Sequence, residues 1–336
     1  EWNFYCDTYG IDTISFGTCM AFVMEAFEAG QITTEHTGGK ELRFGATDAV
    51  MECMHEIAAG KGFGVEVGQG IRYLKEKWVR EYGADAAFLQ DIGMEVKGLE
   101  YSEYVCKESL AQQAGYTMAV KGPQHDEAWL IFMDMVNNQI PSFEDKAEAL
   151  YYYPLWRTWF GLHGLCKLIW NDVVPSSNKT FEPQVAAKVP EHVEDFFAFY
   201  EGMTGQPLDE EGMLAQSARV HNLQRVMSRM FGFGLRKDDM PPMRAVGPVT
   251  AEEYESRAER YDKQLEELAG FKTKGKSTAD KLAAIREYRM AQYNSVVDAA
   301  YDKRGWTRNG VPKIERLKEL GIDMPRLVEI VKDDQE

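Results

Sequence analysis

The feature that most constrains this chain is the spacing of its apolar residues, which follows the helical period along most of the sequence. Val50, Cys53, Met54 and Ile57 recur at positions i, i+3, i+4 and i+7, and Gly60 follows where such a helix would end. Alternation of apolar and polar residues, the pattern of a half-buried strand, is rare. The spacing therefore predicts a mainly α fold with few short strands.

The same spacing marks further elements along the chain. Thr250 and Glu253 form a capping-box pattern, in which a hydroxyl and a carboxylate each satisfy a backbone amide at a helix start. We expect Pro154 to interrupt a long aromatic helix, because proline has no backbone N–H to donate. The predicted elements are helices over 14–27, 147–170, 250–268, 278–304 and from Pro325, and short strands at 41–44 and 94–98.

Charge and composition exclude several classes of protein. The 336 residues include 38 basic and 54 acidic side chains, a net charge of −16, which argues against nucleic-acid binding and against a polybasic membrane surface. No apolar stretch reaches the roughly 20 residues that span a bilayer, since Phe16–Phe27 is too short and contains Glu25. Five cysteines, an odd number, do not indicate a secreted disulfide scaffold. We expect a reducing, cytoplasmic setting.

Several common active-site motifs are missing from the sequence. The glycines between Gly60 and Gly70 fit neither a dinucleotide-binding fingerprint nor a P-loop. The sequence contains no HExxH zinc motif, no CxxC pair and no GxSxG nucleophile elbow.

Two similar hexamers stand out instead, Asp7–Asp12 and Gly161–Cys166, each with a glycine followed by an aliphatic residue. Glycine lets a backbone approach a flat ligand closely, and a carboxylate accepts paired N–H donors from a heterocycle. Spacing alone leaves open the alternative that these are two helix-ending turns.

The first hexamer and the helix that follows it closely resemble the aldehyde:ferredoxin oxidoreductase family of tungsten bis-pterin enzymes. Further segments resemble the family in the same order, and together they cover essentially the whole chain. These segments are Leu42–Gly45, Gly62–Gly70, Lys97–Glu100, Gly164–Lys167, Arg236–Arg244 and Arg304–Pro312.

The resemblance implies a cofactor site of tungsten bis-molybdopterin, in which two motifs hold the two pterins. Asp7, Gly10, Ile11 and Asp12 match the first motif, with isoleucine in place of leucine. Gly164 and Leu165 match the second motif. Its leading aspartate is replaced by Gly161, which puts one pterin hydrogen bond in doubt.

The resemblance also implies an electron-transfer centre. Cys166 takes the position of the family's fourth ligand to a [4Fe–4S] cluster, and clusters of this kind are held by four cysteine thiolates. His125 aligns with a family histidine beside the metal, where it could donate a hydrogen bond or move a proton. The alternative for His125 is a loop residue capping a helix over 126–136.

The remaining candidates divide between packing and chemistry. Cys19 and Cys53 lie on apolar helix faces and are expected in the core. Cys6, beside Asp7, could be a soft metal ligand, and Cys106 replaces a residue of a family motif; both roles are left open. An aromatic cluster is expected either in the core or lining a substrate pocket. It comprises Tyr151, Tyr152, Tyr153, Trp156, Trp159 and Phe160.

The family's other three cluster cysteines and its β-rich cofactor domain lie upstream of the matching region, and neither is found here. The chain starts at Glu1 without Met, as if cut inside a domain. We expect the N-terminal half to be supplied by the same polypeptide or by a separate subunit. The predicted division of this chain is a cofactor-facing helical domain over 1–175 and a second helical domain over 176–336 that closes the active site.

The resemblance implies an anaerobic oxidoreductase that interconverts an aldehyde and a carboxylate. Electrons would pass through the cluster to ferredoxin or to an iron–sulfur electron-transfer subunit. Homodimerisation, the small aldehyde or aromatic substrate, and tungsten rather than molybdenum are left open. Two alternatives remain: reduction of an aromatic acyl-CoA ring, and a non-catalytic helical partner subunit.

Overall fold

The structure, a computed structural model, describes residues 1–102, 104–167 and 190–336. It confirms a mainly α fold with one short antiparallel strand pair in this part of the chain. The elements are α1 (Trp2–Tyr9), α2 (Thr13–Glu28), α3 (Thr47–Ala59), α4 (Gly62–Val67), α5 (Ile71–Tyr82), α6 (Ala86–Ile92), β1 (Glu95–Val96), β2 (Leu99–Glu100), α7 (Leu110–Met118), a π-helix (Phe132–Val136), α8 (Phe143–Leu162), α9 (Pro190–Thr204), α10 (Glu210–Met230), α11 (Ala251–Glu255), α12 (Ala258–Leu268), α13 (Thr278–Arg304), α14 (Ile314–Glu319) and α15 (Pro325–Val331).

The described chain forms two compact units, each assembled from separate stretches of sequence. Unit 1 comprises Glu1–Lys107 and Pro241–Met290, and unit 2 comprises Glu108–Met240 and Ala291–Glu336. Unit 1 has its main apolar core among α1 to α6, and unit 2 packs α8 against α10 and α10 against α15. The predicted division between residues 175 and 176 lies outside the described residues and stays a prediction.

Helix α8 corrects the predicted interruption at Pro154, because it runs unbroken from Phe143 to Leu162. A proline leaves the carbonyl four residues earlier without its helical partner. Here Arg304 supplies the missing donor, since its Nη2 lies 3.0 Å from the Leu150 carbonyl oxygen. The predicted end of this helix at residue 170 lies outside the described residues.

Two other predicted elements are also wrong in detail. Residues 41–44 are not a strand, and the Phe44 amide donates to the Glu28 carboxylate rather than to a neighbouring strand. The helix over 250–268 is broken between α11 and α12. Thr250 caps α11 as predicted, but Glu253 accepts a hydrogen bond from the Val249 amide and so does not complete the capping box.

Helix α13 confirms both of its predicted limits, α3 its predicted end and α15 its predicted start. Gly60 ends α3 in the left-handed conformation, and Pro325 opens α15. None of the helices within the described residues has both the length and the apolar composition needed to cross a membrane.

Candidate cofactor cleft

The first motif forms the turn between α1 and α2 in unit 1. Gly10 ends α1 with φ at +70°, a left-handed conformation that side-chain-bearing residues rarely adopt. Asp12 caps α2, since its carboxylate accepts a hydrogen bond from the Ser15 amide at 2.7 Å. The first hexamer thus forms a turn between two helices, and Asp12 also lines a cleft.

That cleft has a volume of about 350 Å³ and lies entirely within unit 1. It combines the first motif with two other segments that carry the family resemblance, the glycine-rich stretch ending at Gly70 and the hairpin of β1 and β2. Its lining residues are Gly10, Ile11, Asp12, Ser15, Phe16, Cys19, Ile57, Val67, Gly68, Gln69, Gly70, Gly98 and Glu100.

Two observations favour glycine at position 70 of the cleft. Its φ is +84°, and a Cβ atom there would lie 2.9 Å from Oε1 of Glu100. That same oxygen accepts a hydrogen bond of 3.0 Å from the Ile71 amide at the start of α5. The sequence motif therefore brings a carboxylate and a helix start to one side of the cleft.

Four of the five cysteines are buried. Burial raises the pKa of Cys53 and Cys106 to about 12 and that of Cys19 further still. Cys19 and Cys53 are core residues, as predicted. Burial, followed by the charges of Asp7 and Asp12, also raises the pKa of Cys6. These four thiols are therefore protonated at neutral pH.

The second motif lies in unit 2, at the end of α8. Gly164 has φ at +68°, and the Leu165 amide donates to the Phe160 carbonyl at 2.9 Å, which turns the chain out of the helix. Cys166 follows and is exposed. Within the described ranges no three His, Cys, Asp or Glu side chains are grouped to hold a metal ion.

His125 lies in the same unit, in a turn rather than at the start of a helix over 126–136. Helical structure begins at Leu130 and continues as the π-helix from Phe132. The neighbouring Asp126 contacts Lys167 across 3.7 Å, so the structure brings the His125 turn to the segment that carries Cys166. Burial is the largest influence on His125 and lowers its pKa, which favours the neutral imidazole.

Five of the six aromatic residues predicted as a cluster before Cys166 are core, one of the two predicted environments, and Tyr151 is partly buried. Tyr152, Tyr153, Trp156, Trp159 and Phe160 are each at most 2% exposed. They contact one another and the phenylalanines of α9, with Trp156 and Trp159 stacked at 5.5 Å between ring centroids. They stabilise the helix that presents Cys166.

Two chemically relevant carboxylates were missed by the sequence analysis, the buried Glu100 and the partly buried Glu127. Glu100 lines the cleft and ends the segment Lys97–Glu100, which resembles the family, but the sequence analysis assigned it no role. Glu127 lies 3.9 Å from Nε2 of the buried His221, too far for a direct hydrogen bond. Burial opposes ionisation of Glu127, but the nearby His221 and the Val120 amide outweigh it and lower its pKa.

Comparison with known proteins gives one family match that covers nearly all of the chain. The profile described as "Aldehyde ferredoxin oxidoreductase, domains 2 & 3" matches residues 1–322. The tungsten-containing aldehyde ferredoxin oxidoreductase of Pyrococcus furiosus is 25% identical over 329 residues, covering 96% of this chain and 45% of that protein. An aliphatic sulfonate oxidoreductase WOR-like subunit from the same organism is 22% identical, covering 95% of this chain and 42% of its own length.

A solved structure shares the fold. The active site complex BamBC of benzoyl coenzyme A reductase, determined with 1,5-dienoyl-CoA, superposes with a TM-score of 0.58 at 16% identity. The match covers 96% of this chain and 46% of that one. This chain therefore spans less than half the length of the relatives it matches.

Proposed function

This chain belongs to the aldehyde ferredoxin oxidoreductase family, of which it represents domains 2 and 3, and from that premise we propose that it is the C-terminal part of a tungsten pterin oxidoreductase. The reaction proposed is the interconversion of an aldehyde and a carboxylate. The observation that carries the proposal is the cleft in unit 1, where three segments that resemble the family line one cavity.

The residues present fit a pterin cofactor. The cleft is bordered by glycines whose backbones can approach a flat ring and by the carboxylates of Asp12 and Glu100, which accept N–H donors. Asp7, Gly10, Ile11 and Asp12 would hold one pterin, and Gly164 and Leu165 the other. Cys166, exposed at the end of α8, would supply one thiolate to a [4Fe–4S] cluster.

When bound, the metal–pterin group supplies two-electron redox chemistry, and the protein supplies binding and proton transfer. His125 is suited to the second task. Its lowered pKa keeps the imidazole neutral at pH 7, so one ring nitrogen can accept a proton as substrate is oxidised.

The remainder of the enzyme is proposed to come from an N-terminal part, in the same or a separate chain. Support comes from the lengths of the relatives, of which this chain covers 45% and 42%. That part would supply the other three cluster ligands. Ferredoxin or an iron–sulfur subunit would then accept the electrons.

Metal and pterin analysis of the complete protein, isolated without oxygen together with its N-terminal part, tests the proposal. We expect tungsten or molybdenum, a pterin and iron, together with aldehyde oxidation coupled to reduction of a viologen dye. Absence of both metals from the intact, folded protein would refute the assignment.

The second candidate is reduction of an aromatic acyl-CoA ring. It is favoured by two departures from the family pattern. Gly161 stands in place of the motif aspartate, and Cys106 replaces another residue that is usual in a second family motif. Assays of the same complete protein with aldehydes and with aromatic acyl-CoA esters, each with a suitable electron carrier, separate the two reactions.

A further inference from the structure

Glu95 and Glu100 are paired with each other in the two-stranded hairpin, yet their surroundings differ. Both are largely buried, at 9% and 6% exposure. Glu95 contacts Lys75 at 2.7 Å and Arg72 at 3.7 Å, and it also accepts a hydrogen bond from the Gly98 amide. Its negative charge is therefore compensated within the protein.

The negative charge of Glu100 is compensated much less within the protein. The Ile71 amide donates to its Oε1, and no lysine, arginine or histidine of the described residues lies within ion-pair distance of it. An ionised carboxylate can accept about four hydrogen bonds, and burying it without partners is costly. The start of α5 offsets part of this cost through its helix dipole. Glu100 still keeps acceptor capacity that the protein does not use.

Glu100 borders a space that glycine keeps open. Glu100 lines the 350 Å³ cleft together with Asp12, and Gly70 leaves room where a Cβ atom would lie 2.9 Å from the carboxylate. Gly98, at the turn of the hairpin, lines the same cleft with φ at +80°. A flat group with N–H donors can therefore approach Glu100 through the cleft.

We propose that Glu100 is a cofactor-binding residue, whose carboxylate accepts hydrogen bonds from the N–H edge of a pterin in the unit 1 cleft. This inference rests on the proposed function and adds to it a carboxylate outside the two motifs. Glu95, its partner in the hairpin, has a structural role.

The test compares Glu100→Gln with the matched control Glu95→Gln in the complete protein, isolated with its N-terminal part. Glutamine keeps an oxygen that can accept the hydrogen bond from the Ile71 amide, so α5 should still form. Its NH2 group replaces the second acceptor oxygen with a hydrogen-bond donor. The readouts are pterin released and measured by fluorescence after oxidation, tungsten and molybdenum content by mass spectrometry, and far-UV circular dichroism.

We expect Glu100→Gln to weaken pterin retention by about tenfold, as loss of a charge-assisted hydrogen bond implies, while Glu95→Gln retains the wild-type content. Glu100→Asp, a second variant that withdraws the carboxylate by one methylene, should give an intermediate loss. Wild-type content in both Glu100 variants would overturn the inference alone. Absence of pterin from the wild-type protein would instead overturn the proposed function.

Discussion

Two buried carboxylates, Asp239 in unit 2 and Glu100 in unit 1, differ in how far the protein compensates their negative charge. Asp239 accepts two hydrogen bonds from Arg225, at 3.0 and 2.7 Å, and a third from the Tyr301 hydroxyl. Glu100 accepts one from a backbone amide and faces a cleft. A fully compensated carboxylate holds the fold together, whereas one with spare capacity is available to a ligand.

Replacing Asp239 with alanine should have the largest effect on stability. The substitution leaves the Arg225 guanidinium buried without its counter-charge, and breaking such a pair costs about 3–5 kcal/mol. Urea unfolding of this chain measures the change. The control is Asp298→Ala, since Asp298 pairs with Arg236 at a partly exposed site and should cost less than about 1 kcal/mol. Equal losses in the two variants would contradict a special role for the buried pair.

Gly70→Ala tests how closely the cleft glycine and Glu100 approach each other. A positive φ and a contact at 2.9 Å should together destabilise the chain by about 1–3 kcal/mol. Gly83→Ala is the matched control, because Gly83 has φ at +70° but open space around its Cβ position. A double-mutant cycle with Glu100→Ala isolates the contact, and zero coupling would show that backbone strain alone accounts for the loss.

The buried His221 makes unit 2 sensitive to mild acid. Burial and then the charge of Arg304 lower its pKa, and the carboxylate of Glu127 only partly opposes this. Because the unfolded chain takes up a proton near pH 6.5 and the folded chain does so only at lower pH, stability should fall as the pH drops below about 6.5. The slope is at most about 1.4 kcal/mol per pH unit for one group.

Urea unfolding between pH 7.5 and 5.5 measures that slope, with His221→Asn as the comparison. The variant should lose the part of the slope that His221 contributes. An unchanged slope would assign the acid sensitivity to another group.

Asp12 combines a helix cap with a proposed ligand contact, and two substitutions separate these roles. Asp12→Ala should cost about 1 kcal/mol of stability through loss of the cap to Ser15. Asp12→Ser keeps a capping oxygen and should restore most of that stability while pterin content remains low. Asp85→Ala, which removes the cap of α6 away from the cleft residues, controls for capping alone. Full pterin content in Asp12→Ser would limit Asp12 to the structural role.

Cys166→Ala should have the smallest effect on stability, within about 0.5 kcal/mol, because the side chain is exposed. Its effect on iron content should nevertheless be large if the thiolate binds the cluster. Thermal unfolding of this chain and iron analysis of the complete protein give the two values. Unchanged iron would rule out ligation by Cys166.

The sequence predicted most of the helices because helix formation depends on local spacing and caps. It failed at Pro154, since the donor that replaces the lost hydrogen bond comes from Arg304, far along the chain. It also failed to separate α11 from α12, where no glycine or proline marks the break.

In the candidate site, too, sequence analysis reached only what depends on residues close together in the chain. The first motif and Cys166 were singled out because short segments around them resemble the family, and their roles stay predictions. Glu100 lies in such a segment too, but it was not singled out, because what distinguishes it from Glu95 is the presence or absence of a cation contributed by α5. Such a difference depends on three-dimensional packing, which the order of residues does not display.

Each unit is assembled from separate stretches of sequence, and this has a consequence for folding during synthesis. Every residue that lines the cleft lies within the first 100 positions, but unit 1 is complete only when Met290 has been made. At roughly 5–20 residues per second, the early helices wait on the order of ten seconds or more for their last packing partners. During that interval the apolar surface of unit 1 that later packs against the segment from Pro241, including Val249, is uncovered, and chaperone demand should therefore be greatest before that segment emerges.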